Sequence, residues 1–282
     1  MSTGETIIRV GHSPDSDDAF MFHALTNGKI DTDGLRFVHQ LEDIQTLNKR
    51  ALAGELEVSA ISIHAFAYVA DKYALMSSGA SMGEGYGPKI VTREPTTVEG
   101  LKGKTIAVPG AMTSAFLALR LALGKDVPVV QMDFDAVLPA VLSGEVAAGV
   151  IIHEGQLYYR EKGLHQVLDL GVWWNERTGG LPLPLGGNVV RRDLGDALIE
   201  KIASLVKRSV QYALDHRQEA LDYALTYARD LDPALADEFV GMYVNQRTVD
   251  YGPEGRKAVQ SFLDQGAEMG LVPGPLAIQF VG

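Results

Sequence analysis

Two spacings of apolar residues alternate along the chain. Apolar runs of strand length occupy residues 7–10, 58–63, 89–93, 105–108 and 148–153. Other segments have apolar residues three or four positions apart, which places them on one face of a helix. This spacing predicts helices over residues 18–27, 44–52, 113–123 and 136–142. Strands that alternate with helices are typical of an α/β protein with largely parallel sheets.

The pattern changes after residue 191. From residue 196 onward the spacing is almost wholly helical, and it predicts helices over residues 196–214, 218–227, 233–244 and 253–269. Residues 271–282 are rich in Pro and Gly, so we expect an extended tail packed on the surface.

Two parts of the chain repeat the same order of elements. Residues 10–12 and 108–110 each end a strand and lead through polar residues to a helix, and Gly54 and Gly144 each close a later helix before the next strand. The repeat predicts two α/β lobes around a cleft, although chance similarity between unrelated βα units remains an alternative. We expect residues 1–93 with 190–282 to form the larger lobe and residues 94–189 to form the second.

Ligands of open parallel sheets bind beyond the carboxyl ends of the strands. In two facing lobes, both sets of strand ends point into one cleft. The residues that follow the strands there are 12–18, 59–64, 109–114 and 153–156. This geometry selects the candidate site before any chemistry is considered.

His153 directly follows the apolar run 150–152. An imidazole with an ordinary pKa near ~6.5 can act as a general base at neutral pH. The alternative is a surface histidine that bonds only water. Because its expected position is in the cleft, His153 is our candidate catalytic residue, and Glu154 is expected on the opposite face of the strand.

Two helix starts in the cleft carry polar residues. At Thr113 and Ser114, one hydroxyl can cap the helix while the other, with free backbone N–H groups, holds a ligand carboxylate. The acidic residues 15–18 precede the first helix, and we expect them to cap the helix and fix the loop, since the segment lacks the pattern of a calcium loop.

Composition narrows the classes of function. The 282 residues include 25 Lys plus Arg and 36 Asp plus Glu, and the resulting charge of −11 argues against nucleic-acid binding. The chain has no Cys and no paired-histidine zinc motif, so we expect no metal and no cofactor. No apolar run reaches the ~18 residues of a membrane span. Residues 1–11 do not resemble a secretory signal, so we expect a cytoplasmic protein.

Several motifs resemble the 1,4-dihydroxy-6-naphthoate synthase family of the futalosine route of menaquinone biosynthesis. They are SPDSDDAFMF at residues 13–22, EDIQTLN at 42–48, the segment 108–113, IIHE at 151–154 and the segment 178–186. The resemblance implies a type II periplasmic-binding-protein-like fold of two α/β lobes around a cleft. It also implies a carbon–carbon lyase that splits cyclic dehypoxanthine futalosine, an aromatic carboxylate, into 1,4-dihydroxy-6-naphthoate and dihydroxyacetone.

The resemblance also implies roles for particular residues. It makes His153 the proton acceptor, and it places substrate contacts at Ala60, Ile61 and Ser62 and at Thr113 and Ser114. Some relatives have Lys where this chain has Ala60, so we expect mainly backbone contacts there.

Two alternatives to this function stay open. Chorismate dehydratase belongs to the same wider family, and a solute-binding protein of a transporter shares the fold. Our expectation of an aromatic carboxylate as the small-molecule partner therefore rests on the family resemblance. The sequence leaves the oligomeric state undetermined.

Overall fold

A computed structural model describes residues 6–227 and 232–282 of the chain. Residues 1–5, part of the segment 1–11 that we expect not to be a secretory signal, lie outside the described residues. The strands are β1 (Thr6–His12), β2 (Leu35–Leu41), β3 (Val58–Ser62), β4 (Tyr73–Met76), β5 (Ser81–Gly83), β6 (Lys89–Thr92), β7 (Ile106–Val108), β8 (Val129–Gln131), β9 (Ala148–Ile151), β10 (His165–Asp169), β11 (Leu183–Arg191) and β12 (Phe280–Val281).

The helices lie between and after these strands. They are α1 (Ser16–Thr26), α2 (Ile44–Ala53), α3 (Ile63–Phe66), α4 (Ser114–Leu123), α5 (Phe134–Ser143), α6 (Gly155–Tyr158), α7 (Leu170–Thr178), α8 (Asp196–Asp215), α9 (Arg217–Leu225), α10 (Pro233–Tyr243), α11 (Gln246–Val249) and α12 (Gly252–Glu268). None of the helices that the structure describes is long and apolar enough to cross a membrane.

The strands form two sheets with matching topology. The first has the order β12-β4-β11-β3-β1-β2, with β5 paired to β11, and the second has the order β10-β6-β9-β7-β8. Strands β2 and β3 flank β1 in parallel, just as β8 and β9 flank β7. Next to each parallel group lies one antiparallel strand, β11 in the first sheet and β6 in the second. The repeat predicted from the sequence is therefore present in both sheets.

Two glycines end equivalent helices of this repeat. Gly54 follows α2 with a φ of 73°, and Gly144 follows α5 with a φ of 79°, the left-handed region that lacks a steric penalty only for glycine. Each glycine turns the chain toward the next parallel strand of its lobe, β3 or β9. The same local signal thus sets the direction of the chain twice.

Strand pairing differs from the expected division of the lobes. Residues 89–92, expected in the larger lobe, form β6 and pair with β9 and β10 in the second sheet. Residues 183–189, expected in the second lobe, belong to β11 and pair with β3, β4 and β5 in the first. Pairing therefore favours limits between β5 and β6 and between α7 and β11. The difference arises because hydrogen bonds to neighbouring strands determine which sheet an antiparallel strand joins. The composition of the flanking chain, on which the expected division was based, does not.

The tail is more regular than expected. Its last residues form β12, which pairs in parallel with β4 at the edge of the first sheet. The sequence pattern also did not predict β4, β5 and β11, or β2, β8 and β10, and the side chains of these last three are mostly half-buried or exposed. A strand with little burial lacks the apolar run that reveals it in the sequence.

A hydrophobic core lies on each face of the first sheet. One face packs on α1 and α8, with Phe20 and Phe22 fully buried between the layers. The other core joins the sheet to α12 and extends into the second lobe, where Ile106 and Leu117 belong to the same cluster. This shared core holds the lobes together beside the cleft that contains the candidate site.

Candidate functional site

A cavity lies between the two sheets. All four segments selected from the strand ends contribute to its wall. The six residues proposed as catalytic or substrate-binding line it as well, and these are Ala60, Ile61, Ser62, Thr113, Ser114 and His153. No Lys or Arg is among its lining residues, so charge inside it comes from carboxylates and the histidine.

His153 lies two residues after β9, at the wall of the cavity. Its φ is 57°, a conformation uncommon for a residue other than glycine. The strained residue starts a tight turn in which the backbone N–H of Gln156 donates to the carbonyl of His153 at 3.1 Å. Strain of this kind persists where the surrounding structure fixes it, and it concentrates at functional sites.

The imidazole of His153 is held from the opposite lobe. Its Nδ1 lies 2.8 Å from Oδ2 of Asp15, and the two side chains are only 13% and 15% exposed. Its Nε2 is buried and has no hydrogen-bond partner in the part of the chain that the structure describes. Asp15 therefore engages one nitrogen and leaves the other without a partner among the described residues.

The same carboxylate changes the proton affinity of the histidine. Burial alone lowers the pKa of an imidazole, but the charge of Asp15 and the hydrogen bond to it outweigh burial and raise the pKa of His153 to about 9. The sequence led us to expect a neutral imidazole at neutral pH. The structure corrects this expectation, since a group with this pKa is mostly protonated at pH 7 and becomes a stronger base when it loses the proton.

The acidic loop before α1 does more than cap a helix. Asp15 is the N-cap residue, but its side chain makes no capping hydrogen bond. It accepts instead from the hydroxyl of Ser13 at 2.8 Å and faces His153, while Asp18 accepts from the backbone N–H of Ser13 at 2.7 Å. Capping was therefore the wrong interpretation for Asp15, and loop fixing was right for Asp18.

A second hydrogen bond joins the lobes beside this pair. The hydroxyl of Ser16 donates to Glu154 at 2.9 Å. Glu154 thus binds the residue after Asp15 and leaves the orienting position at His153 to Asp15. The expectation that Glu154 lies on the opposite face was wrong, because β9 ends at Ile151 and the carboxylate of Glu154 lies close to His153 and Asp15.

Two hydroxyls expected at the start of α4 are both engaged within the protein. Thr113 accepts from the backbone N–H of Phe116 at 3.2 Å, and so it caps the helix as expected. Ser114 was expected to offer its hydroxyl to a ligand, but that hydroxyl donates to the carbonyl of Leu185 at 2.5 Å and accepts from the N–H of His64 at 3.2 Å. Because the N–H of Phe116 donates to Thr113, the groups left for a ligand are the backbone N–H groups of Ser114 and Ala115 at the start of the helix.

Ser62 adds a side-chain donor to this end of the cavity. Asn48, fully buried, donates its amide to Oγ of Ser62 at 3.0 Å and accepts from the backbone N–H of Ser62 at 2.9 Å. The hydroxyl oxygen is thus used as an acceptor, which leaves its own proton for another partner. Beside it, Ala60 and Ile61 contribute apolar wall. We call this region, with the first turn of α4, the amide end of the cavity.

Another part of the lining is acidic, and we call it the base end. It holds His153 with Asp15, Asp17 and Asp18. Burial and the neighbouring carboxylates raise the pKa of Asp17 well above its usual range. A ligand with one anionic and one hydroxyl-rich part therefore fits the cavity in one orientation, with its anion at the amide end.

Two other groups of residues lie near the cavity. Asp15, His153 and Glu154 have potential metal-ligand atoms within 4.8 Å of one another. The Nδ1 of His153 already shares a proton with Asp15, so the geometry supports a hydrogen-bonded pair. Trp174 is fully buried and donates to the carbonyl of Pro182, and it is not among the cavity's lining residues.

Sequence reasoning missed the role of Asp15 because the residue and its partner are 138 positions apart. The available signal was the prediction that both segments lie at strand ends facing one cleft. That signal places the two loops together without identifying which carboxylate meets the imidazole.

Comparison with known proteins relates the chain to enzymes and to binding proteins. A family model described as menaquinone biosynthesis matches residues 8–268. A protein of Thermus thermophilus named 1,4-dihydroxy-6-naphtoate synthase is 43% identical over 274 residues, which are 96% of this chain and 99% of the relative. A Streptomyces coelicolor protein of the same name is 38% identical over 280 residues, or 97% and 98% of the two chains.

Solved structures agree with these matches. A crystal structure of an Archaeoglobus fulgidus protein matches with a TM-score of 0.90 and 46% identity. The match covers 94% of this chain and 98% of the Archaeoglobus chain. The periplasmic aliphatic sulphonate binding protein of Escherichia coli has a TM-score of 0.66 at 14% identity, with 97% and 96% covered. The second likeness shows the fold alone, which is that of periplasmic binding proteins. On the family match and the two curated relatives, the chain belongs to the menaquinone biosynthesis family.

Proposed function

We propose that this protein splits cyclic dehypoxanthine futalosine into 1,4-dihydroxy-6-naphthoate and dihydroxyacetone, with His153 as the general base. The names of its relatives support the reaction. The observation that carries the proposal is the pair of Asp15 and His153, which leaves a buried, unpartnered Nε2 in a cavity between the lobes.

The reaction breaks one carbon–carbon bond and consumes no oxidant or reductant. His153 accepts a proton from the substrate through Nε2 while Asp15 holds Nδ1–H and stabilises the imidazolium that forms. The bond to the three-carbon fragment then breaks, and the proton returns to the departing fragment. Aromatic stabilisation of the naphthoate favours the products.

The substrate carboxylate would bind at the amide end. Backbone N–H groups at the start of α4 and the hydroxyl of Ser62 are hydrogen-bond donors, and the helix dipole favours an anion there. The hydroxyl-rich part then lies at the base end, where Asp15, Asp17 and Asp18 can accept its protons. Hydrogen bonds between the lobes enclose the substrate and keep water out.

The direct test is to incubate the purified protein with cyclic dehypoxanthine futalosine and to follow naphthoate absorbance, with chorismate in a parallel assay. Turnover of the first compound and none of chorismate is the expected result. Turnover of chorismate would favour the dehydratase, and binding of either compound without turnover would favour a solute-binding protein.

Replacement of the base gives the second test. We expect His153→Ala to lower kcat by about 10²–10⁴, the usual contribution of general acid–base catalysis. His165→Ala, at an exposed position in β10, is the matched control and should leave kcat unchanged. Full activity of His153→Ala would refute the mechanism.

A further inference from the structure

Gln156 has an uncommitted donor at the base end of the cavity. The residue is 4% exposed and lines the cavity. The hydroxyl of Tyr243 donates to its Oε1 at 3.0 Å. In this arrangement the oxygen of the amide faces Tyr243 and the nitrogen Nε2 is turned away from it, and no acceptor for Nε2 is found within residues 6–227 and 232–282.

The backbone places this amide beside the catalytic base. Gln156 is the fourth residue of the turn that begins at His153, and its N–H closes that turn at 3.1 Å. The positive φ of His153 produces the turn and brings both residues to the same cavity wall. Tyr243 comes from α10 in the other lobe, so the amide, like the imidazole, is held across the cleft.

The charges around the base end make such a donor necessary. Asp15, Asp17 and Asp18 line this region, and among the described residues of the lining there is no cation besides the histidine. Negative charge that develops on a substrate oxygen there is opposed by any ionised carboxylate nearby. A neutral N–H group stabilises that charge without drawing the proton away from His153.

We propose that Gln156 is a catalytic residue whose Nε2–H donates to the substrate oxygen that becomes negatively charged when His153 removes a proton. Tyr243 is the positioning residue that holds the amide in this orientation. The inference rests on the proposed function, and it adds a donor that the base mechanism requires.

The step conserves atoms and electrons. His153 takes the proton, and the electron pair left on the substrate becomes negative charge on the oxygen that faces Gln156. As the pair on that oxygen returns to the ring and makes it aromatic, the carbon–carbon bond breaks and its own electron pair leaves with the fragment, which takes the proton back from His153. Gln156 gives up no proton, so it ends the cycle unchanged.

The test compares Gln156→Met with the wild type. Methionine has a similar length and no N–H group, so kcat should fall by about 10²–10³, the usual effect of removing one such donor. KM should change much less, because the interaction strengthens only as charge develops. Tyr243→Phe keeps the donor but frees its orientation, so it should reduce kcat by a smaller factor than Gln156→Met.

A second glutamine provides a matched control. Gln166 in β10 also accepts from a tyrosine, Tyr159, at 3.1 Å, and it lies outside the cavity lining. Gln166→Met should leave kcat and KM unchanged. Gln156→Glu keeps the acceptor for Tyr243 and removes the donor, so it serves as a second variant if Gln156→Met does not fold.

The outcomes separate this inference from the proposed function. If the wild type does not convert the futalosine derivative, the proposed function fails. If the wild type is active and a folded Gln156 variant keeps kcat within about threefold, the inference fails alone. A rise in KM with an unchanged kcat also overturns it, because the amide then contributes to binding and not to the reaction.

Discussion

Replacing Asp15 with asparagine tests the origin of the proton affinity of His153. The amide has the shape of the carboxylate but no charge. The ion pair at 2.8 Å is lost, whereas the burial of both side chains is retained. Without the charge that opposes burial, the pKa of His153 falls from about 9 toward its ordinary range.

Two effects of this substitution have opposite signs. With a pKa of about 9, roughly one His153 in a hundred is unprotonated at pH 7, because the ratio of the two forms changes tenfold per pH unit. The variant has more of its histidine in the basic form at pH 7. Its limiting rate is nevertheless lower by about 10²–10⁴, because the imidazolium formed in the reaction loses its stabilising partner.

The assay is kcat measured from pH 6 to pH 10 for both proteins. The wild-type kcat should rise about tenfold per pH unit and level off near pH 9, because the unprotonated imidazole is the active form. The variant should level off at lower pH, so the ratio of wild-type to variant kcat grows by up to about a hundredfold between pH 7 and pH 9.

The same loss of charge at an exposed position is the control. Asp31→Asn changes the net charge equally and should not move the wild-type profile. A ratio of wild-type to Asp15→Asn kcat that stays constant over this pH range would contradict our explanation of the raised pKa.

Three further substitutions test other parts of the structure. At pH 8, Asp17→Asn should unfold at the same temperature as the wild type or at a higher one. Between pH 5 and pH 8, its stability should fall less than that of the wild type. A carboxyl whose folded pKa is raised loses stability as pH rises from its unfolded value through the folded one. Thr113→Ala removes the cap of α4 and should lower the free energy of unfolding by about 1 kcal/mol in urea titrations. Gly54→Ala should cost about 1–2 kcal/mol by the same assay, because φ is 73° and no atom within 4 Å of the added methyl compensates for the strain.

Much of the fold follows from local sequence signals. Gly54 and Gly144 mark equivalent helix ends, and the apolar runs before Pro109 and His153 identify β7 and β9 of the second sheet. These signals are local, and they recur in the second copy of the repeat. The strands β2, β8 and β10 were missed because half-buried strands carry no strong apolar run.

The site was predictable in its location and less so in its chemistry. Strand ends identified the four segments around the cavity, because parallel topology fixes where they meet. The hydrogen-bond partners of Asp15 and Ser114 lie in distant parts of the chain, so no local pattern reveals them. The pKa that we expected for His153 was wrong for the same reason, since the pKa depends on a carboxylate from the other lobe.

The placement of these contacts links the fold to catalysis. Three hydrogen-bonded pairs cross the cleft side by side, Asp15 with His153, Ser16 with Glu154, and Tyr243 with Gln156. Each has one residue on either side, so separating the lobes breaks all three. A binding protein of this fold needs closure only to retain its ligand. In this chain closure would also orient the base and its neighbouring donor, which means that a binding cleft requires few additional residues to become a catalytic one.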